Sequence, residues 1–76
     1  MQVDAEIFRE RLRLARSRAR LSQDELATRT GLTQSNVSQY ESGHVVPSVE
    51  SLARLSHVLK VSTDWLLGLT DKRGDA

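Results

Sequence analysis

The chain predicts an all-α fold: one compact globule of five short, crossing helices. Three observations carry that reading. Apolar residues recur at helical spacing, and no alternating strand pattern runs longer than a few residues. Capping residues and glycines punctuate the chain at short intervals, so no helix is long enough for an extended bundle. At 76 residues there is room for one small domain. A chain of that size buries only ~60% of the surface its unfolded form exposes.

Each element has its own local signals. The first helix is expected over roughly 4–19. There Phe8, Leu12, Ala15 and Ala19 form one apolar stripe, with Ile7 and Leu14 as a narrower stripe beside it. The segment Ser22-Gln23-Asp24-Glu25 is a capping box that opens the second helix: the hydroxyl takes a free N–H, and Glu25 reaches back to the Ser22 amide. Leu26 and Ala27 face inward. Gly31 ends this helix, where a residue at positive φ is needed and glycine adopts it without a Cβ clash. Leu32 anchors the turn. Thr33 caps the third helix, which runs to about Ser42 with Val37 and Tyr40 inward, and Gly43 ends it. After the short loop 43–47, Ser48 caps a fourth helix over about 49–59, with Leu52, Leu55, Ser56 and Leu59 on one face. Ser62 caps a last short helix over 63–67, closed by Gly68. The domain is expected over 1–69, with 70–76 as a flexible tail.

Composition excludes several classes of function. There are no cysteines, hence no disulfide, no thiolate zinc site and no cysteine nucleophile. The two histidines are isolated, and neither a Ser-His-Asp arrangement nor a glycine-rich phosphate loop is present. No catalytic centre, cofactor or metal is expected. No apolar run approaches the ~18 residues of a membrane span, and the N-terminus lacks the pattern of a secretory signal. A cytoplasmic setting fits.

Net charge is only +1, but the distribution is uneven. Six of the eleven basic residues are arginines between Arg9 and Arg20. Asp4, Glu6 and Glu10 balance only the start of that segment. Cations near a helix C-terminus suit its dipole, and the same stripe attracts phosphates. The third helix is the unusual one. From Thr33 to Ser42 its one charge is Glu41, and the rest of its polar surface is Thr33, Gln34, Ser35, Asn36, Ser38, Gln39 and Ser42. Such amides and hydroxyls suit reading donors and acceptors on base edges.

A helix-turn-helix needs a small residue where its helices touch, a residue free of Cβ strain in the turn, and an aliphatic plug into the core. Ala27, Gly31 and Val37 fill those positions, with Thr30 where a larger aliphatic is more usual. On RLRLARSRARLSQDELA, GLTQSNVSQYESG and PSVESLARLSHVLKVSTDWLLG, the chain resembles the lambda-repressor-like family (Cro/CI, XRE-type) of helix-turn-helix regulators, over about Phe8 to Gly68. The resemblance implies a compact five-helix DNA-binding domain. Its third helix would enter the major groove of double-stranded DNA.

Residue roles follow from that likeness. Gln34 is the first base reader expected, since a glutamine amide can bond adenine N6 and N7 together. Ser35, Ser38 and Gln39 come next. Arg20, Gln23, Thr33, Asn36 and the backbone N–H groups of Gly43 and His44 are the phosphate candidates. In the family an arginine at the place of Arg16 pairs with the glutamate matching Glu41, which is favoured here over a DNA contact by Arg16. The loop after helix three departs from the pattern. Many relatives carry Lys or Arg there, whereas Gly43-His44-Val45-Val46-Pro47 has no permanent cation. A shallower salt dependence is therefore expected.

The apolar C-terminal cluster has two readings. The resemblance implies a two-fold dimer contact through Leu66, Leu67 and Leu69 that sets two recognition helices ~34 Å apart; the other reading is that the cluster closes the monomer's own core. Trp65 is expected against helix one, meeting Ile7 and Leu14. The leading reading is a repressor that binds a pseudo-palindromic operator as a homodimer, in the cytoplasm of a bacterium or phage-infected cell. The alternatives are an antitoxin-type or restriction–modification controller protein, and a helical interaction module that does not bind DNA. A small-molecule effector is left open.

Overall fold

A computed structural model describes residues 4–74. It contains α1 (Ala5–Arg18), α2 (Gln23–Thr30), α3 (Gln34–Ser42), α4 (Val49–Leu59) and α5 (Thr63–Leu66). The predicted all-α class is observed, and every start signal acts as expected. Ser22, Thr33, Ser48 and Ser62 each accept a backbone N–H from the first turn they cap. Asp4 does the same for α1, accepting from Glu6 and Ile7. The Ser22–Glu25 capping box is closed at both ends.

The helix ends share one motif. After each helix a residue donates its N–H back across the last turn, and the next residue donates one position further back. That is the Schellman arrangement. The turning residues of α2 and α3 are Gly31 (φ +72) and Gly43 (φ +83). After α1 and α4 the left-handed position is held by Arg20 (φ 59) and Lys60 (φ 58). A side chain there costs ~1–2 kcal/mol relative to right-handed backbone.

α2 packs on both α3 and α4, α1 on α3 and α5, and α4 on α5. Their shared core is Phe8, Leu12, Ala15, Leu21, Leu26, Ala27, Val37, Tyr40, Leu55, Leu59, Trp65 and Leu66. Thr30 is buried in this set because its hydroxyl donates to the Leu26 carbonyl at 2.7 Å. Back-bonding to the preceding turn satisfies the hydroxyl without an outside partner.

Two expectations about α1 are corrected. Ala19 is exposed rather than in the core stripe: it follows the last turn of α1 as its C-cap. Leu14 is 45% exposed. Trp65 does meet α1: the Arg11 guanidinium lies 5.0 Å from the indole centroid, and Trp65 shares the core with Phe8 and Leu12. Ile7 packs at Gly68, where a Cβ would come within 3.1 Å of its Cγ2.

α5 stops at Leu66, one residue earlier than expected, with Leu67 as its cap. Of the tail expected over 70–76, residues 70–74 are described, and residues 75–76 lie outside the described part. Arg11 donates to the carbonyls of Trp65 (2.6 Å) and Thr70 (2.7 Å) and pairs with Asp71 at 3.3 Å. The Ser62 N–H donates to the Arg73 carbonyl at 2.6 Å.

Candidate nucleic-acid interface

The turn between α2 and α3 places the N-termini of both helices side by side. Its geometry comes from Gly31 and from the Leu32 N–H, which donates to the Ala27 carbonyl at 2.9 Å. One face of α3 is sunk into the core through Val37, Tyr40 and Glu41. The helix is therefore fixed in rotation. Gln34, Ser35, Gln39 and Ser42 are exposed, while Ser38 and Asn36 are half-buried at the edges of that face.

A chain of hydrogen bonds ties this exposed face to α1. The Gln34 amide donates to Gln23 Oε1 at 2.8 Å, and the Gln23 amide donates to Glu41 Oε1 at 3.0 Å. Glu41 accepts two bonds from Arg16, 2.6 Å from Nε and 3.0 Å from Nη2. The remaining Arg16 nitrogen donates to the Leu21 carbonyl at 2.9 Å, which holds the chain entering α2. Bidentate pairing is the strongest common geometry for these groups. Its hydrogen bond with Glu41 raises the Arg16 guanidinium further above its ordinary range, against the opposing pull of burial. The expected Arg16–Glu41 pair is present.

Sequence reasoning missed Arg13, whose Nη2 donates to the Glu41 backbone carbonyl at 3.1 Å. It also missed Arg9, whose aliphatic stem lies over Gly43, so that a Cβ there would stand 3.2 Å from its Cδ. Both act across long sequence gaps, and neither leaves a local signal. Together three α1 arginines grip the C-terminal half of α3.

The phosphate candidates divide. Arg20 is exposed just ahead of α2. Gln23 is half-buried at the α2 N-terminus, where free N–H groups and the dipole favour an anion. Thr33 and Asn36 are engaged with each other. The Thr33 hydroxyl accepts the Asn36 N–H at 3.0 Å and donates to Asn36 Oδ1 at 2.8 Å, so Asn36 keeps its amide N–H groups for another partner. The expectation for the Gly43 and His44 backbone is corrected. Their N–H groups donate to Tyr40 (3.3 Å) and Gln39 (3.1 Å), because the Schellman end of α3 needs them. What the loop offers is the exposed His44 ring, with Nδ1 2.6 Å from Ser42 Oγ. Beside it Val45 and Val46 are exposed and Pro47 is buried.

At the C-terminal cluster, Leu66 is fully enclosed in the core. It cannot be the surface contact it was expected to be, since α5 turns it under α1 and α4. Leu67 is half-buried and Leu69 exposed.

Fold and helix pair together define a lambda-repressor-like helix-turn-helix protein. A family model described as helix-turn-helix matches residues 12–66, and the chain belongs to that family. Among curated relatives, it is 38% identical over 69 residues to a SPbeta prophage-derived HTH-type transcriptional regulator, YonR, of Bacillus subtilis, covering 91% of this chain and 64% of YonR. Among solved structures, the P22 c2 repressor in complex with synthetic operator 9T has a TM-score of 0.80 and 30% identity, over 92% of this chain and 100% of that one. The restriction–modification controller protein C.AhdI from Aeromonas hydrophila has a TM-score of 0.77 and 33% identity, over 83% of this chain and 96% of that one. The chain spans 30% to 64% of the length of the curated relatives it matches.

Proposed function

We propose that this chain is a sequence-specific DNA-binding regulator of transcription, acting as a repressor. It sets α3 into the major groove of a pseudo-palindromic operator as a homodimer, in the cytoplasm, without catalysis or a cofactor. The observation that carries the reading is the uncharged, amide-lined face of α3, held at a fixed angle by the bonds running from Gln34 through Gln23 and Glu41 to Arg16. Gln34 reads first, with Ser35 and Gln39 beside it and Ser38 at the edge. Arg20, Gln23, Thr33, Asn36 and the His44 ring face the phosphates. Leu67 and Leu69 remain the candidates for contact between protomers.

Selection of bound sites from random duplexes tests the whole reading. It should return a motif with two half-sites about one helical turn apart. Gln34→Ala should then relax preference at one base pair in each half-site, by ~1–3 kcal/mol. No enrichment, or an unchanged motif with Gln34→Ala, overturns the assignment. A second reading, a restriction–modification controller, is favoured by the likeness to C.AhdI over nearly all of that chain. It keeps the same base readers and differs in which promoter the site controls.

A further inference from the structure

A cleft of about 330 Å³ opens on the side of the molecule formed by the C-terminal ends of α1, α2 and α4. Buried Ala15, Leu21 and Leu59, half-buried Val58 and Val61, and exposed Ala19 give it apolar walls. Four cations line it as well: Arg18, Arg29, Lys60 and Arg73. Among the described residues, none that lines it is acidic. Arg18, Arg29 and Lys60 make no salt bridge among the described residues, although Glu25 lies close enough to Arg29 to feel its charge.

Helix dipoles explain part of that charge, since Arg18 and Arg29 lie in last turns. They do not explain an apolar floor beneath the cations. Lys60, the C-cap of α4, suits a helix dipole as well, but it stands at φ 58, where glycine would be less strained. Ala19, exposed at the C-cap of α1, lines this same cleft. A volume of this size is at the lower end of the small-ligand range, ~300–1,000 Å³.

We infer that this cleft binds a small organic anion with an apolar body. Its tail would lie on Ala19, Leu21 and Val61, and its charged head among Arg18, Arg29 and Lys60. This site is separate from the α3 face and does not depend on DNA recognition.

Octanoate titrated into the whole chain, followed by two-dimensional amide NMR, is the test, with octanol as the neutral control. Octanoate should shift the amides of Ala15, Ala19, Leu21 and Val61 saturably, while those of Gln34 and Ser35 stay in place. Octanol should bind at least about tenfold more weakly. Lys60→Gly removes a cation while relaxing the backbone, so it stays folded, and it should weaken octanoate about three- to tenfold. Ala19→Trp, at an exposed position, should fill the cleft and abolish the shifts. Equal binding of octanol, unchanged affinity with Lys60→Gly, or the absence of saturable shifts overturns the inference. So does a random DNA duplex that moves the same amides when octanoate does not, for the cations would then serve phosphates.

Discussion

Replacing Glu41 tests how the reading helix is held. Glu41→Leu removes the carboxylate that accepts two bonds from Arg16 and one from Gln23. The side chains are 19% exposed for Arg16 and 5% for Glu41. Stripping one partner from a fully buried pair costs ~3–5 kcal/mol. Arg16 keeps some water and its bond to the Leu21 carbonyl, which lowers the figure to about 2–3 kcal/mol. A domain of this length has roughly 4–11 kcal/mol of stability in all, so the midpoint of thermal unfolding should fall by about 10–20 °C. Arg16→Met should cost more, because it strands the more deeply buried member. The double variant Arg16→Met/Glu41→Leu should recover most of the loss, since well-packed apolar residues often replace a buried pair at little cost. Urea unfolding monitored by the fluorescence of the single tryptophan, buried Trp65, measures all three. If Glu41→Leu is within ~0.5 kcal/mol of wild type, or the double variant is no better than the singles, the pair does not hold the helix.

Four further outcomes are expected. Leu66→Ala should lose ~2–5 kcal/mol as a core truncation, whereas Leu69→Ala should stay within ~0.5 kcal/mol; equal losses in urea unfolding would contradict the burial of Leu66. The Ser22 backbone amide, then its hydroxyl, holds the Glu25 carboxyl below its ordinary value. A depressed folded pKa gives stability that is present above the unfolded value and lost as pH falls through the folded one. Glu25→Ala should therefore destabilise the domain at neutral pH and not in acid, and a deficit that persists after Glu25 is protonated would refute this. Arg11→Met should release 70–73 and speed hydrogen exchange at the Ser62 amide, and an unchanged rate would show that the tail holds itself. Arg20→Ala should flatten the salt dependence of operator affinity by about 0.9 in log–log slope; an unaltered slope would remove Arg20 from the phosphate contacts.

What could be read from the sequence was what is decided locally. Ser22, Thr33, Ser48 and Ser62 act within one turn of themselves, so their type and spacing suffice. Gly31 and Gly43 announce their turns because the backbone there favours glycine. Arg20 and Lys60 hold equivalent turns without that signal, and only the fold reveals them. Leu14 and Ala19 fit helical stripes, but Leu14 lies on the solvent side of α1 and Ala19 falls just past its last turn, which periodicity does not register. The pairing of Arg16 with Glu41 came from the family likeness. The bonds from Gln23 to Gln34, and from Arg13 to α3, join residues that become neighbours only after the chain has turned. The Gly43 and His44 amides looked available because a helix end reveals free N–H groups only by what the next turn leaves over.

The bonds between Arg16 and Gln34 also have a direction. A carboxylate can only accept. Glu41 therefore requires Gln23 to turn its nitrogen inward, which points the Gln23 oxygen at Gln34. Gln34 must answer with its own nitrogen, so its oxygen and its second N–H are left without partners among the described residues. An unrestrained glutamine can swap its two ends freely, offering acceptor or donor to whatever approaches. Here one buried negative charge, two side chains away, settles that choice in advance. The polarity of the outermost amide is set from inside the molecule before any ligand arrives.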